Sequence, residues 1–218
     1  MSRKEKIFFV LILFFFFTLF FARLQLLNTI ATVAVVAYSL LFNSINEKWQ
    51  LLKRRRYLQG MLLFFAWVVV SVALSKNHNK AMSFLDPRLA LLYLPISIGT
   101  LTLTKRFKDK VLLYFAALTT AVCIFCFAYA LQRSHFFQQR EFLYNDSLTE
   151  ILGQQSIYIS LLVNVSIYIF GYFIFIKNVP YKGWMLLAVL FLFGMSYLLA
   201  SRNLMVVLYA IDYIYRSL

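Results

Sequence analysis

Residues 111–131 read VLLYFAALTTAVCIFCFAYAL, an apolar run of 21 positions without a charged side chain. At about 1.5 Å per residue, a helix of this length matches the roughly 30 Å hydrocarbon core of a bilayer. The run lacks the period-two alternation of a barrel strand, and lipid offers no partners to exposed backbone groups. We therefore expect a transmembrane helix here, and this expectation decides the fold class.

Comparable apolar runs recur along the chain. Its 218 residues are 62% hydrophobic and 14% charged, whereas soluble domains are about 45–50% apolar and about 25% charged. The sequence predicts an all-α fold, a polytopic transmembrane helical bundle of about eight spans that forms a single transmembrane domain over residues 1–218. The predicted spans are Ile7–Ala22, Leu26–Phe42, Leu58–Leu74, Leu89–Leu103, Val111–Leu131, Ile157–Ile176, Trp184–Ala200 and Leu204–Tyr215.

Basic residues fill the short segments between these runs, and their distribution predicts the orientation. If the N terminus is cytoplasmic, 15 of the 22 Lys and Arg residues lie inside and seven lie outside, as the positive-inside rule requires. Residues 75–88, residues 132–156 and Arg202 then face outside, which is the periplasm for a multi-pass protein of a bacterial inner membrane. This distribution also accounts for the net charge of +14, so nucleic acid is not expected as a partner.

The longest polar interruption is Gln132–Ser156, QRSHFFQQREFLYNDSLTEILGQQS, which lies between two predicted spans. The planar guanidinium groups of Arg133 and Arg140 suit the oxygens of a diphosphate, although solvated loop charge is an equal alternative. Histidine can act as a general base near neutral pH, but the phenylalanines that follow His135 favour packing at the membrane interface. We expect this stretch to lie along the membrane surface.

Arg202 differs from the other outer arginines in its position. It lies directly between two predicted spans, without a loop around it, close to the boundary of the bilayer. An arginine near hydrocarbon is costly unless it is paired, snorkels to the interface or lines a polar cavity. We therefore expect Arg202 to have a functional role.

No metal-binding or nucleophilic motif accompanies these residues. Cys123 and Cys126 have the CxxC spacing, but zinc needs about four ligands and no further Cys, His or acid lies near them in the sequence. We interpret the pair as packing residues of a helix. The sequence has no Gly-rich phosphate loop, HExxH motif or serine nucleophile elbow, and neither a metal nor a cofactor is predicted.

Three segments carry a resemblance to a known family. In Leu74–Thr100 a polar outer loop meets an apolar span that contains Pro95. In Gly153–Leu162, GQQSIYISLL, the residues Gln154-Gln155-Ser156 stand where family members often have His-Pro or His-His. Leu198–Leu204, LLASRNL, is similar to a Ser-Arg-Gly/Asn element. Together with the order of the spans, these segments resemble the O-antigen ligase / O-antigen polymerase family of bacterial membrane glycosyltransferases.

The resemblance implies transfer of a glycan from undecaprenyl diphosphate, at the periplasmic face, to lipid A-core or a growing polysaccharide. It implies that neither a metal nor a nucleotide sugar takes part, and that the partners are membrane lipids, the lipid-linked glycan and the glycan acceptor. Arginines are expected to bind the diphosphate, and polar residues to line the site. The residues assigned in this way are Arg88, Arg133, Arg140 and Arg202 for the diphosphate, and His135, Gln155 and Tyr158 for a polar wall.

The catalytic residue stays unassigned. The family's catalytic histidine lies on a late periplasmic loop, and neither His78 nor His135 stands in its place. Family members are longer, and their catalytic loop follows the spans present here. The sequence is therefore expected to be the N-terminal part of a longer protein or a divergent short homologue, and to lack the general base by itself.

The alternative is a non-enzymatic polytopic membrane protein, such as a transporter half or a subunit of a polysaccharide-export assembly. Transporters tend to have paired halves whose spans are interrupted by Gly or Pro at matching places. Six Gly, three Pro and no visible repeat fit a transporter poorly. The export-subunit hypothesis stays open at this point.

Overall fold

The computed structural model describes residues 3–42, 44–75, 82, 85, 88–177, 179 and 181–199, and every regular element within these ranges is helical. The all-α class predicted from the sequence is confirmed. The α-helices are α1 (Arg3–Leu19), α2 (Gln25–Leu40), α3 (Ile45–Arg54), α4 (Arg56–Ala73), α5 (Ala90–Ser97), α6 (Lys105–Phe137), α7 (Asn145–Thr149), α8 (Ser156–Gly171) and α9 (Lys182–Leu198). Short 3₁₀ turns cover Ala22–Leu24, Arg140–Leu143 and Glu150–Leu152, and a π-helical turn, Tyr172–Ile176, continues α8.

Four helical segments within the described residues are long and apolar enough to cross a membrane. They are Ala22–Leu40, Arg56–Ala73, Lys105–Phe137 and Ser156–Ile176, and the apolar helix Lys182–Leu198 is shorter. These lengths and compositions support the assignment to the membrane proteins. The last predicted span, Leu204–Tyr215, lies outside the described residues, and the count of eight spans stays a prediction.

The longest helix, α6, extends the predicted span Val111–Leu131 at both ends. Its 33 residues correspond to about 50 Å of helix, which exceeds the roughly 30 Å hydrocarbon core. The basic segment 105–110, predicted as a loop, forms the first turns, and His135 lies in the last turn. Hydropathy predicts only the part of a helix that contacts lipid. Lys, Arg and Gln are good helix formers, so they extend α6 beyond the apolar run into polar surroundings.

The segment predicted as the fourth span, Leu89–Leu103, contains a shorter helix. α5 has eight residues, or about 12 Å of helix, and residues 101–104 have no regular structure. Pro95 lies inside α5 and lacks the N–H that would bond to the preceding turn. The carbonyls of Gly99 and Leu101 accept hydrogen bonds from the Arg55 guanidinium instead of from helical N–H groups. The prediction from apolar composition alone therefore overestimated the length of this helix.

The connector 43–57 contains α3, which hydropathy did not predict. The Ser44 hydroxyl accepts the N–H of Glu47, and the Glu47 carboxylate accepts the N–H of Ser44, each at 3.3 Å. This capping box satisfies two backbone donors that a helix start leaves without partners. Its Ser-x-x-Glu pattern is present in the sequence.

The chain divides into two compact units, Met1–Leu11 with Thr29–Lys105 and Ile12–Asn28 with Arg106–Leu218. In the first unit, two basic side chains hold the ends of helices. The Lys48 ammonium is buried and donates to the carbonyl of Ser39, in the last turn of α2, at 3.1 Å. Burial lowers the pKa of Lys48. Arg55 acts in the same way on the carbonyls that follow α5, so positive charge meets the negative ends of two helices.

The second unit has a core of buried apolar side chains. On α6 the buried positions recur with helical spacing at Phe115, Thr119, Val122, Cys126 and Ala130. α8 packs along α9 and adds residues such as Ile159, Val163, Leu192 and Met195 to the same cluster. Cys123 and Cys126 are free and buried in it, which confirms their interpretation as packing residues.

Ion pairs at both ends of α6 join it to the segment that carries α8. At the start of α6, Nζ of Lys177 lies 2.7 Å from Oδ2 of Asp109. At the end of α6, Nη1 of Arg133 lies 2.5 Å from Oε2 of Glu150. The two helices therefore run antiparallel. The hydrogen bond to Asp109 raises the pKa of Lys177 above its ordinary value.

Candidate functional site

The polar stretch after α6 folds into a compact segment, residues 138–155, which we call the polar cap. α6 ends because Gln138 adopts a left-handed backbone conformation, with φ of 54°, and its side-chain amide donates to the carbonyl of His135 at 2.9 Å. Left-handed residues and added donors are common at helix ends, where carbonyls lack partners. The polar cap therefore begins at a well-defined turn.

A carboxylate in the polar cap fixes the start of α8. Oδ1 of Asp146 accepts the backbone N–H of Ser156 at 2.7 Å, which replaces the side-chain cap that Gln155 does not provide. Hydrogen bonds from the N–H and the side chain of Ser156 lower the pKa of Asp146. Negative charge at a helix N terminus is favourable because backbone donors and the helix dipole both point toward it.

Further contacts anchor the polar cap in the second unit. The Thr149 hydroxyl donates to the carbonyl of Gln154 at 2.7 Å, and the Gln154 amide donates to the carbonyl of Leu19 at 3.3 Å. Leu148 and Leu152 are fully buried. Gly153 has a φ of 67°, a backbone conformation that residues with a Cβ atom rarely adopt. The polar cap is therefore a packed part of this unit and not a freely projecting loop.

Arg133 is held on three sides. Besides its ion pair with Glu150, its guanidinium lies 4.4 Å from the ring centroid of Phe142 and 5.8 Å from that of Tyr129. Such stacking adds cation–π attraction to the ion pair. Arg133 therefore connects α6 to both 3₁₀ turns of the polar cap. Its Nη1 group is already engaged by the Glu150 carboxylate.

Arg140 has a different environment. Its side chain is exposed, and it forms no hydrogen bond or ion pair with any residue that the structure describes. His135, Gln155 and Tyr158, the predicted polar wall, are exposed as well. These four residues all lie in or beside the polar cap, so the second unit offers an exposed cation on a polar surface.

The other two predicted arginines, Arg88 and Arg202, do not belong to the described part of the second unit. Arg88 is half-buried and belongs to the first unit. Arg202 and His78 lie outside the described residues. Two of the four predicted diphosphate ligands thus lie close in the chain within the second unit, Arg133 near the end of α6 and Arg140 in the polar cap.

Sequence reasoning missed the partners that shape the polar cap. No sequence pattern assigned a role to Glu150 or Asp146, yet Glu150 holds Arg133 and Asp146 caps the start of α8. A charge pair 17 residues apart across a turn leaves no periodic signal in a sequence. The buried polar row on α8, Ser156, Ser160 and Asn164, does leave one, since its members are four residues apart.

No group of three or more His, Cys, Asp and Glu side chains within the described ranges could hold a metal ion. Asn164 accepts a hydrogen bond from the Ser196 hydroxyl at 3.3 Å inside the helix packing. Among these described side chains of the polar cap, the group that can bind an anion is the exposed Arg140, in a segment that also carries Glu141, Asp146 and Glu150.

No protein-family model, curated protein or solved structure matches the chain.

Proposed function

We propose that the chain acts in a bacterial inner membrane as a glycosyltransferase of the O-antigen ligase/polymerase type. In this proposal a glycan passes from undecaprenyl diphosphate to lipid A-core or a polysaccharide acceptor at the periplasmic face. The observation that carries the proposal is the exposed Arg140 in a folded polar cap that connects two apolar helices long enough to span the membrane. A lipid-linked diphosphate needs such a cation close to the hydrocarbon boundary.

Arg140 in the polar cap and Arg133 at the end of α6 have separate tasks in this proposal. Arg140 has its guanidinium exposed to receive a diphosphate oxygen. Arg133 is oriented by Phe142 and Glu150, and a diphosphate can take the place of the Glu150 carboxylate because both accept from the same planar fork. The sequence motif adds Arg202 as a third diphosphate ligand.

The proposal includes a topology of about eight spans with a cytoplasmic N terminus. It puts α3 in the cytoplasm and the polar cap in the periplasm, which requires the segment Leu89–Leu103 to cross the membrane although α5 is short. If that segment does not cross, the chain crosses the membrane twice between α3 and the polar cap, through α4 and α6. The helix α3 and the polar cap then lie on the same side of the membrane. Membrane side is thus a sharp test of the proposal.

Cysteines at two exposed glutamines test the topology. Gln50 lies on α3 and Gln139 at the start of the polar cap, and the natural Cys123 and Cys126 are buried. An impermeant maleimide added to intact spheroplasts should label Gln139→Cys and should label Gln50→Cys only after the membrane is opened. Labelling of both from the same side overturns the proposed topology.

Loss of Arg140 tests the function. Arg140→Gln in the complete protein should reduce glycan transfer about tenfold or more, because a hydrogen bond to a charged group contributes about 1.5–3 kcal/mol. The measurement is the transfer of labelled glycan from undecaprenyl diphosphate in membranes from cells that lack the natural gene. Arg106→Gln is the matched control, since Arg106 is an exposed arginine near the opposite end of α6.

Two results would count against the proposal. If the Arg140→Gln and Arg106→Gln variants transfer glycan at the same rate, Arg140 does not bind the diphosphate in the way proposed. Undiminished transfer in cells without the gene, together with impaired export of the polysaccharide, favours the non-enzymatic export subunit.

A further inference from the structure

The helix α3 presents an apolar stripe that the first unit leaves uncovered. Its sequence, INEKWQLLKR, puts Ile45, Trp49 and Leu52 at positions i, i+4 and i+7, which lie on one face of a helix. The exposed fractions are 85% for Ile45 and 58% for Trp49. An exposed tryptophan on an amphipathic helix is typical of segments that lie in the headgroup layer of a bilayer.

The position of α3 in the chain requires it to stay near a membrane boundary. It follows the apolar segment Ala22–Leu40 and precedes Arg56–Ala73, both long and apolar enough to span a membrane. Few residues separate α3 from either segment, so it cannot leave the headgroup layer on that side. Its apolar stripe therefore meets lipid and not bulk water.

Basic residues near α3 fall into two groups. Lys48 and Arg55 donate to backbone carbonyls at the ends of other helices. Lys53 and Arg54, in its last turn, are exposed, as is Arg56, the first residue of α4. Lys53 extends over the ring of Trp49, with Nζ 5.1 Å from the ring centroid, so a positive charge lies directly beside the apolar stripe.

A groove lies beside this charge, between α3 and α4. Trp49, Leu52 and Lys53 line it from α3, and Gln59, Leu62 and Leu63 line it from α4; its volume is about 310 Å³. This size is within the range of ligand-binding clefts, about 300–1,000 Å³. Leu62 and Leu63 lie about two turns inside α4, so the inner part of the groove is apolar and the outer rim carries Lys53.

A side chain of α4 forms hydrogen bonds to the end of α3 beside the groove. The Gln59 amide donates to the carbonyls of Lys53, at 2.7 Å, and Leu52, at 3.3 Å. These carbonyls belong to the last turn of α3 and would otherwise lack helical partners. Gln59 thus fixes the corner between α3 and α4, and the groove does not depend on a ligand for its shape.

We propose that this groove binds one anionic phospholipid of the bilayer, with an acyl chain along Trp49, Leu52, Leu62 and Leu63 and the phosphate beside Lys53. The apolar walls suit an acyl chain, so a lipid fits the groove better than a free phosphate ion does. The ammonium group of Lys53 at the rim favours a negatively charged headgroup. Arg54 is not part of the groove, because it lines a separate cavity with Glu47, Gln50, Leu51 and Thr102. This inference goes beyond the proposed function and does not depend on it.

Fluorescence quenching tests the site in the full chain. Trp67 and Trp184 are replaced by Phe, so that Trp49 is the reporter, and the protein is reconstituted in vesicles of phosphatidylcholine with a minor fraction of brominated phosphatidylglycerol. Brominated phosphatidylglycerol should quench Trp49 more strongly than the same fraction of brominated phosphatidylcholine. Lys53→Gln should reduce this preference about fivefold, the factor expected for one basic residue near anionic lipid.

Arg54→Gln is the matched control, because it removes the same charge from the same helix turn outside the groove. It should leave the preference unchanged, and Lys53→Arg should retain it. Equal quenching by the two brominated lipids overturns the proposal. Equal loss in Lys53→Gln and Arg54→Gln also overturns it, because surface charge and not the groove would then select the lipid. Circular dichroism of each variant must show unchanged helix content.

Discussion

The carboxylate of Asp146 accepts the backbone N–H of Ser156 at 2.7 Å, across ten residues of chain. Because the acceptor comes from the polar cap and the donor from the first turn of α8, this bond couples the fold of the cap to the start of α8. The bond favours the ionised carboxylate, and it lowers the pKa of Asp146.

This bond predicts a local dependence on pH. A carboxyl group with a lowered folded pKa contributes stability above its unfolded pKa, about 3.9, and loses the contribution as pH falls through the folded value. Relative to its intrinsic rate at each pH, amide hydrogen exchange in the first turn of α8 should therefore accelerate as the pH falls below about 4. Asp146→Asn should accelerate it at neutral pH by about fivefold, since loss of a helix cap costs about 1 kcal/mol.

Glu141→Gln is the control for this prediction. Glu141 is an exposed acid in the same polar cap, so its replacement changes the net charge equally without touching the start of α8. If both variants exchange at the same rate in α8, the hydrogen bond of Asp146 does not stabilise the helix.

Two glycines of the first unit should respond in opposite ways to alanine. A Cβ at Gly99 would overlap the carbonyl oxygen of Pro95 and the side chain of Leu58, whereas a Cβ at Gly60 would meet nothing within 4 Å. Overpacking typically costs about 1–3 kcal/mol, so Gly99→Ala should lower the thermal unfolding midpoint in detergent. Gly60→Ala, in the interior of α4, should raise it, because alanine is the better helix former by about 1 kcal/mol.

A third comparison concerns the polar row of α8. The Ser196 hydroxyl donates to Asn164, and hydrogen bonds between membrane helices contribute about 0.6 kcal/mol on average. The Ser160 hydroxyl is buried and has no hydrogen-bond partner among the described residues, so its desolvation is not compensated. Ser196→Ala should destabilise the protein and Ser160→Ala should be neutral or stabilising. Thermal unfolding of the two variants in one detergent measures the difference, and destabilisation by Ser160→Ala would indicate a hidden partner.

Much of the helical architecture was predictable from apolar runs. The helices α2, α4, α8 and α9 lie where hydropathy predicts them, because contact with lipid imposes continuous apolar composition. The ends of α6 were not predictable in this way, since Lys105 and His135 continue the helix outside the apolar run. α3 left a different signal, its capping box, which hydropathy does not measure.

The candidate site was predictable only in part. Arg133 and Arg140 could be identified from their type and position, but the sequence could not show that Glu150 already holds Arg133 while Arg140 stays exposed. That difference depends on how two 3₁₀ turns fold back on the end of α6. Contacts between residues distant in sequence decide such details, and no local pattern encodes them.

The attachment of α6 at both ends has a consequence for its response to the surrounding lipid. With Asp109 bound to Lys177 and Arg133 bound to Glu150, the helix resists fraying when the bilayer becomes thinner. Hydrophobic mismatch then has to be met by tilting of the helix or by deformation of the lipid. Tilting changes how far the polar cap stands above the hydrocarbon. The height of Arg140 is therefore set jointly by the protein and by the thickness of its bilayer, so lipids of different chain length would tune the reach of this arginine without any change of sequence.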